Sequence, residues 1–367
     1  MSLLLYTAVA AYALALVRIF VGLGRLREGT AAARPSATVL VAARNEEKNI
    51  GGCLEALQAQ DYGGDFEILV LDDGSTDKTA HVVGDAERLD PRIRLIPIPA
   101  ATDDTAPKKH ALLTGLAASH GEFVFVTDAD CVVPAGWMSG LASHFDDGIG
   151  LVTGAVFLPD AAGLVGRMRN LDFAAYTFCS AGAMAAGWPL IATAMNLAYR
   201  REAFESAGGF GRDSHVLSGD DDLLLHTIVR ETPWRAAFAY GPEVVVETKP
   251  VTTVSGFLNQ RMRWASKAFR YPPGMTLFLI AAFLTYAGIL VGLPLYAAGL
   301  WSSSAPLVAA GMKLVADALV VFRGSARFGL RGLRRAFLPA QILHLPYILA
   351  ASIGGAMGLF RWKGRGA

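Results

Sequence analysis

The chain has 367 residues, is 53% hydrophobic and 18% charged, carries a net charge of +1 and has a mean hydropathy of +0.38. So balanced a charge gives no nucleic-acid signature. So apolar a composition excludes an ordinary soluble enzyme as the whole account. The length suggests about two domains, and the apolar residues are unevenly distributed.

Residues 2–17 are almost wholly apolar, and the run continues past Arg18 to Leu23. No basic residue precedes it, whereas Arg18, Arg25 and Arg27 follow it, the reverse of a secretory signal's charge order. Residues 1–24 therefore read as a span with its N-terminus outside and the following domain in the cytoplasm.

Residues 35–250 have the balanced character of an aqueous α/β domain. A strand is expected at Ala37–Ala42, followed by Arg44-Asn45-Glu46-Glu47 and a helix to about Gln60. A second strand, Phe66–Leu71, ends at Asp72-Asp73-Gly74-Ser75-Thr76-Asp77, with a helix from about Lys78. Arg92–Pro97 is a third strand and Pro107–Ala118 a helix. Glu122–Val126 is a fourth strand and stops at Thr127-Asp128-Ala129-Asp130. Strands alternating with helices at this spacing predict a doubly wound, mostly parallel sheet, whose ligands bind at the carboxyl ends of the strands. Three of the four strands end there in polar clusters. A nicotinamide-binding domain is excluded because Ala-Arg-Asn-Glu-Glu, not GxGxxG, follows the first strand, and no P-loop occurs.

Residues 251–273 read as an interfacial segment and 274–360 as a C-terminal membrane region. Residues 274–301 carry no charge over 28 positions, long enough to span a bilayer. A further run, 305–322, is broken by Lys313 and Asp317, one helical turn apart and placed to neutralise each other. Residues 323–335 hold five arginines and no acid, as expected of a cytoplasmic loop. Arg361, Lys363 and Arg365 also suit the cytoplasm, so residues 336–360 either cross against the charge rule or dip in and return near Pro346. Residues 162–178 mix Arg167, Arg169 and Asp172 with apolar residues and suit a membrane surface. Cys53, Cys131 and Cys179 show no metal or disulfide spacing and fit a reducing compartment.

Four clusters carry candidate chemistry. Asp128 and Asp130 are two apart on a strand and point the same way. Converging carboxylates repel unless a cation lies between them, and a hard divalent ion that also binds diphosphate suits the pair; a solvated strand-end turn gives the same sequence. Asp72 or Asp73 can accept hydrogen bonds from a base or ribose, while Ser75 to Asp77 suit an N-cap. Lys108 and Lys109 open a helix, where cations oppose the dipole and favour a nearby anion. Ser218-Gly219-Asp220-Asp221-Asp222 packs three acids at a helix start. Crowding and burial raise the pKa of such acids, which suits a general base. Gln260, Arg263 and Trp264 share one helical face, offering a fork for phosphate and a stacking surface; an amphipathic interfacial helix has the same pattern.

The order of these pieces resembles the membrane-bound glycosyltransferase family 2. The resemblance spans roughly residues 36–270, and Asn196–Arg201 with Gly208-Gly209-Phe210 resembles the family's acceptor-side segment. It implies a GT-A fold plus transmembrane helices, and inverting, metal-dependent transfer of a sugar from a nucleotide-diphosphate sugar, a UDP-sugar foremost. By position, Ala43, Asn45, Glu46, Asp72, Asp73, Lys109, Asp128 and Arg263 would bind the donor. Asp128 and Asp130 would hold Mg²⁺ or Mn²⁺. Asp220 would be the general base, with Asp221 sharing or taking that role because Gly219 stands where the family often has glutamate. Gln260, Arg263 and Trp264 would form the QxxRW motif, near the diphosphate and the acceptor. The expected acceptor is a membrane lipid, as in ceramide glucosyltransferase-like members, with the protein multi-pass in the inner membrane and its catalytic domain cytoplasmic. The rival readings are a processive polysaccharide synthase, a polyprenyl-phosphate glycosyltransferase and a non-catalytic sugar-nucleotide-binding scaffold.

Overall fold

The computed structural model describes residues 1–99, 105–362 and 365–366. Lys363, read above as a cytoplasmic charge, lies outside the described residues. In chain order the elements are α1 (Ser2–Leu23), β1 (Ala37–Ala43), α2 (Ile50–Gln58), β2 (Phe66–Asp72), α3 (Thr79–Leu89), β3 (Ile93–Pro97), α4 (Pro107–Ala117), β4 (Phe123–Asp128), β5 (Cys131–Val132), α5 (Trp137–Ala142), β6 (Ile149–Gly154), β7 (Val156–Phe157), α6 (Gly163–Ala185), β8 (Leu197–Arg200), α7 (Arg201–Ser206), α8 (Asp222–Glu231), β9 (Arg235–Ala239), β10 (Val246–Thr248), α9 (Val254–Ala265), α10 (Pro273–Ala297), α11 (Ala305–Arg327) and α12 (Phe337–Ala356). The expected strands and helices of the α/β region are all present, each within a few residues of its expected end.

The chain divides into two compact units, one formed by Leu26–Pro159 with Pro189–Lys249, the other by Met1–Arg25, Asp160–Trp188 and Pro250–Ala367. Thus α6, which lies inside the 35–250 segment, groups with the apolar helices rather than with the sheet.

The α/β unit is built on a seven-stranded sheet of order β3-β2-β1-β4-β8-β6-β9. β1 runs parallel to β2 and β4, and β2 parallel to β3. β8 runs antiparallel to β4 and β6. The central strand β4 is sheathed on both faces, so Phe123, Val124, Phe125 and Val126 are all buried and read as an unbroken apolar run. Register aligns Ala43 with Asp72 and Ala42 with Asp128, which brings three loop starts to one carboxyl edge. A small sheet of order β5-β10-β7 follows the Asp128–Asp130 turn, with Cys131 opposite Thr248. Buried Asn196 ties this region together, donating to Ala155 O at 2.8 Å and Val244 O at 2.7 Å and accepting from Trp137 Nε1 at 2.9 Å.

Among the described residues of the second unit, four helical segments are long and apolar enough to cross a membrane: Ser2–Leu23, Pro273–Ala297, Ala305–Arg327 and Arg331–Ala356. Leu3, Leu14, Leu277, Val315 and Ile342 turn outward, a density of exposed apolar side chains that water does not favour. α1 and α6 cross closely: a Cβ added at Gly22 would collide with Gly182 O. Lys313 Nζ pairs with Asp317 Oδ2 at 2.7 Å, as their spacing implies, and Tyr12 and Gln341 complete the buried cluster. α12 continues through Pro346 for 20 residues, so the chain does not turn back at that proline. Arg331, Arg334 and Arg335 sit on the 3₁₀ turn that precedes it.

Candidate functional site

The polar loops after β1 and β2 lace together at the sheet edge. Asn45 adopts a left-handed φ of 56°, a conformation asparagine tolerates better than most residues. Its N–H donates to Ser75 Oγ at 3.0 Å, and its Oδ1 accepts from Thr76 N at 2.8 Å. Glu46 N donates to Thr79 Oγ1 and Glu47 N to Asp77 Oδ2. Asp72 Oδ1 accepts from Ser75 N at 3.0 Å, and Ala43 O from Asp73 N at 3.0 Å. Asp77 Oδ1 takes Thr79 N at 3.0 Å in a turn ahead of α3, but the N-cap itself is Lys78, with no side-chain cap bond, so the cap read for Ser75 to Asp77 is corrected by one residue. Asp73 pairs with Arg44 at 3.4 Å, both side chains partly exposed. Asn45, Glu46 and Asp72 thus hold the loops in shape, while Asp73 stays partly exposed with a cation beside it.

Asp128 ends β4 and Asp130 follows after one residue. Thr127 Oγ1 donates to Met195 O at 3.0 Å, fixing the strand end against the segment before β8. Burial, then the charges of Asp130 and Asp128, push the Cys53 thiol up to about 12. Burial and the same two carboxylates push Cys131 well up as well. Asp130 Oδ1 lies 3.8 Å from Cys131 Sγ. Among the described residues no group of three or more His, Cys, Asp or Glu is assembled for an ion. Two carboxylates nevertheless fit a hard divalent cation that takes its remaining oxygens from a diphosphate and water.

The helix α4 supplies the link to the third acid. Pro107 at its first turn fixes the helix start, so the adjacent Lys108 and Lys109 point about 100° apart. Lys109 is 1% exposed, and its ammonium donates to Asp213 O at 2.6 Å and Ser218 O at 3.1 Å. It pins the loop leading to Gly219 and Asp220, which is a different task from the donor contact read for it. Lys108 instead reaches the acids: its Nζ lies 2.9 Å from Asp128 Oδ1 and 2.8 Å from Asp220 Oδ2. Two oxygens that share one nitrogen in this way are about 6 Å apart at most, and without the cation they would repel by about 3 kcal/mol at the effective dielectric of a protein. The sequence reading treated Lys108 only as half of a lysine pair; the helix phase after Pro107 was the available signal.

Asp220 is 9% exposed. Burial pushes its carboxyl up, but the Lys108 charge and hydrogen bond, with help from Lys109, outweigh burial and hold it below the usual carboxylate range. The expectation that crowding would raise this acid is therefore corrected: the neighbours that matter are lysines. Asp221 caps α8. Its Oδ1 accepts from Asp222 N at 2.7 Å and its Oδ2 from Ala194 N at 3.2 Å, so both oxygens are engaged by backbone amides. Gly219 has φ +86°, and a Cβ there would meet Leu223 at 2.6 Å, which accounts for glycine at this position.

Gln260, Arg263 and Trp264 lie on α9 in the other unit, as the helical spacing predicts. Thr253 caps this helix by accepting from Gly256 N at 3.2 Å. Trp264 packs against Tyr176, with ring centroids 5.0 Å apart.

Comparison with known proteins agrees with this architecture. Residues 38–208 match the family described as glycosyl transferase family 2. A beta-monoglucosyldiacylglycerol synthase of Synechocystis sp. is 25% identical over 345 residues, 89% of this chain and 70% of that protein. An N-acetylglucosaminyltransferase of Rhizobium meliloti is 27% identical over 255 residues, 64% of this chain and 56% of that protein. Among solved structures, a mannosyltransferase from Pyrobaculum calidifontis, determined with GDP-Man and Mn²⁺, superposes with a TM-score of 0.61 at 24% identity, covering 96% of this chain and 98% of that one. It shares the GT-A fold. Residues 38–208, which hold β1 to β4, the Asp128–Asp130 turn and Lys108, thus form a glycosyl transferase family 2 domain on a GT-A fold, joined to helices apolar enough to span a membrane.

Proposed function

We propose that this chain transfers a single sugar, with inversion, from a nucleotide-diphosphate sugar to a hydroxyl of a membrane lipid, working from the cytoplasmic face of the inner membrane. The observation that carries the reading is the convergence of Asp128 and Asp220 on Lys108 at the carboxyl edge of the sheet. One acid there is suited to the donor's diphosphate side and the other to the acceptor's proton. Asp73 with Arg44 faces the nucleotide. Asp128 and Asp130 would hold Mg²⁺ or Mn²⁺, and a bound divalent cation would offset the charge that gathers on the leaving nucleotide diphosphate. Asp220 accepts the proton of the acceptor hydroxyl as that oxygen attacks the anomeric carbon opposite the departing diphosphate. An α-linked donor then yields a β-linked product. The family resemblance assigns Arg263 to the leaving group and Trp264 to the acceptor side, roles that a planar cation and a stacking surface suit.

A lipid acceptor is favoured by the likeness to a protein named beta-monoglucosyldiacylglycerol synthase over 89% of this chain, a span too long to leave out most of the apolar helices. The relatives named N-acetylglucosaminyltransferase carry a name that gives a sugar but neither the acceptor nor the number of sugars added, so the processive reading stands as the alternative. Membranes of expressing cells, supplied with radiolabelled UDP-glucose, UDP-N-acetylglucosamine or GDP-mannose, separate the two. Label in one organic-soluble species of one sugar per lipid supports the proposal. A ladder of water-soluble products supports the synthase, and label in neither fraction with any donor rejects both.

A further inference from the structure

Within the apolar-helix unit, Arg261 stands between Gln260 and Met262 on α9 and is 8% exposed. A guanidinium so buried requires a partner. Its Nη2 pairs with Asp172 Oδ2 on α6. The other oxygen of Asp172 accepts the Tyr347 hydroxyl from α12, and His344 Nε2 lies 4.0 Å from the same oxygen. Three elements of the unit therefore meet at one carboxylate.

The guanidinium also lies against aromatic rings. Its carbon is 4.3 Å from the Trp264 ring centroid and 4.9 Å from that of Phe257. Trp264 is held as well by α6, where Tyr176 packs at 5.0 Å with an interplanar angle of 31° and Phe173 at 6.3 Å. The indole is thus clasped between a cation on its own helix and two rings of α6. The Arg261 plane cannot turn without breaking its bond to Asp172.

We propose that Asp172 and Arg261 form a positioning device that sets the Trp264 ring, and through it the binding of the acceptor's sugar or lipid headgroup. The proposal rests on the reading of Trp264 as an acceptor-side residue. Neither Asp172 nor Arg261 touches the reacting atoms; they act through the indole. Arg261 is suited to this because a planar cation can stack and ion-pair at once, whereas a lysine in its place keeps the charge but loses the flat face.

The test uses the full chain in detergent, with UDP-glucose as donor and dioctanoylglycerol as the acceptor probe. Arg261→Lys and Asp172→Asn are expected to raise the acceptor KM about tenfold, to leave the donor KM unchanged, and to shift the Trp264 emission, isolated by subtracting the spectrum of a Trp264→Phe chain. Asp172→Glu is expected to restore part of the acceptor KM. Unchanged Trp264 emission in both variants, or an acceptor KM equal to that of the parent in variants that still bind donor, overturns the positioning role. If Trp264→Ala itself leaves the acceptor KM unchanged, or the parent chain does not use the probe, the acceptor reading beneath the proposal is what fails.

Discussion

Lys108 Nζ lies 2.8 Å from Asp220 Oδ2, and this ion pair sets the charge of the candidate base. Burial alone would favour the protonated acid; the lysine reverses that preference. Asp220 is therefore ionised throughout the neutral range. Asp220→Asn is expected to lower transfer by roughly 10²–10⁴-fold while donor binding persists. Lys108→Met removes the largest of the contributions that oppose burial, leaving the charge of Lys109, so the carboxyl pKa rises and the acid limb of the transfer rate moves to higher pH. A pH–rate profile of parent and variant checks the direction, and an acid limb that stays put would show that Lys108 does not govern this group.

The Asp128–Asp130 pair is expected to bind the divalent cation. Asp130→Ala should weaken Mn²⁺-dependent donor binding at least tenfold, measured by titrating labelled donor at fixed Mn²⁺, because one of two protein ligands is lost. Donor affinity that depends on Mn²⁺ as before would remove Asp130 from the metal site.

Gly219 turns the chain into Asp220 with a φ of +86°. Gly219→Ala is expected to cost about 1–3 kcal/mol, because a Cβ is strained in that backbone region and must displace Leu223. Thermal unfolding gives the size. Gly219→Glu, the residue the family resemblance leads one to expect here, should lose activity rather than gain it, because its Cβ meets Leu223 as that of alanine does.

Cys53 is buried beneath the end of β4, its Sγ donating to the backbone carbonyl of Asp128 at 3.8 Å. Burial and the two carboxylates push its thiol up to about 12. It is therefore neutral at pH 7–8, and iodoacetamide should leave it unmodified in the folded chain, as read by peptide mass spectrometry. Alkylation of Cys53 at pH 7.5 without unfolding would contradict both the burial and the charge argument.

Several of these relationships were legible in the residues and several were not. The strands were legible because a sheet covered on both faces demands short apolar runs, and β1 to β4 supply them. The Asp128–Asp130 turn was legible because a strand has a period of two. Asp221 was not assignable, since a base and an N-cap call for the same side chain; only the amides of Asp222 and Ala194 distinguish them. Lys108 and Lys109 were equivalent as neighbours in sequence and became different once the helix pointed one toward the acids and the other toward the carbonyls of Asp213 and Ser218. The grouping of α6 with the apolar helices was legible in part: residues 162–178 read as a stretch suited to a membrane surface, but nothing local separated them from the 35–250 segment.

Local patterning by itself determined which segments become strands, helices and apolar spans, because hydrophobic period and run length act over a few residues. Tertiary structure alone decided that a buried lysine from α4 stands between acids from β4 and the start of α8. That choice depends on Coulomb attraction across groups 20 and more positions apart in the chain, which no local pattern encodes.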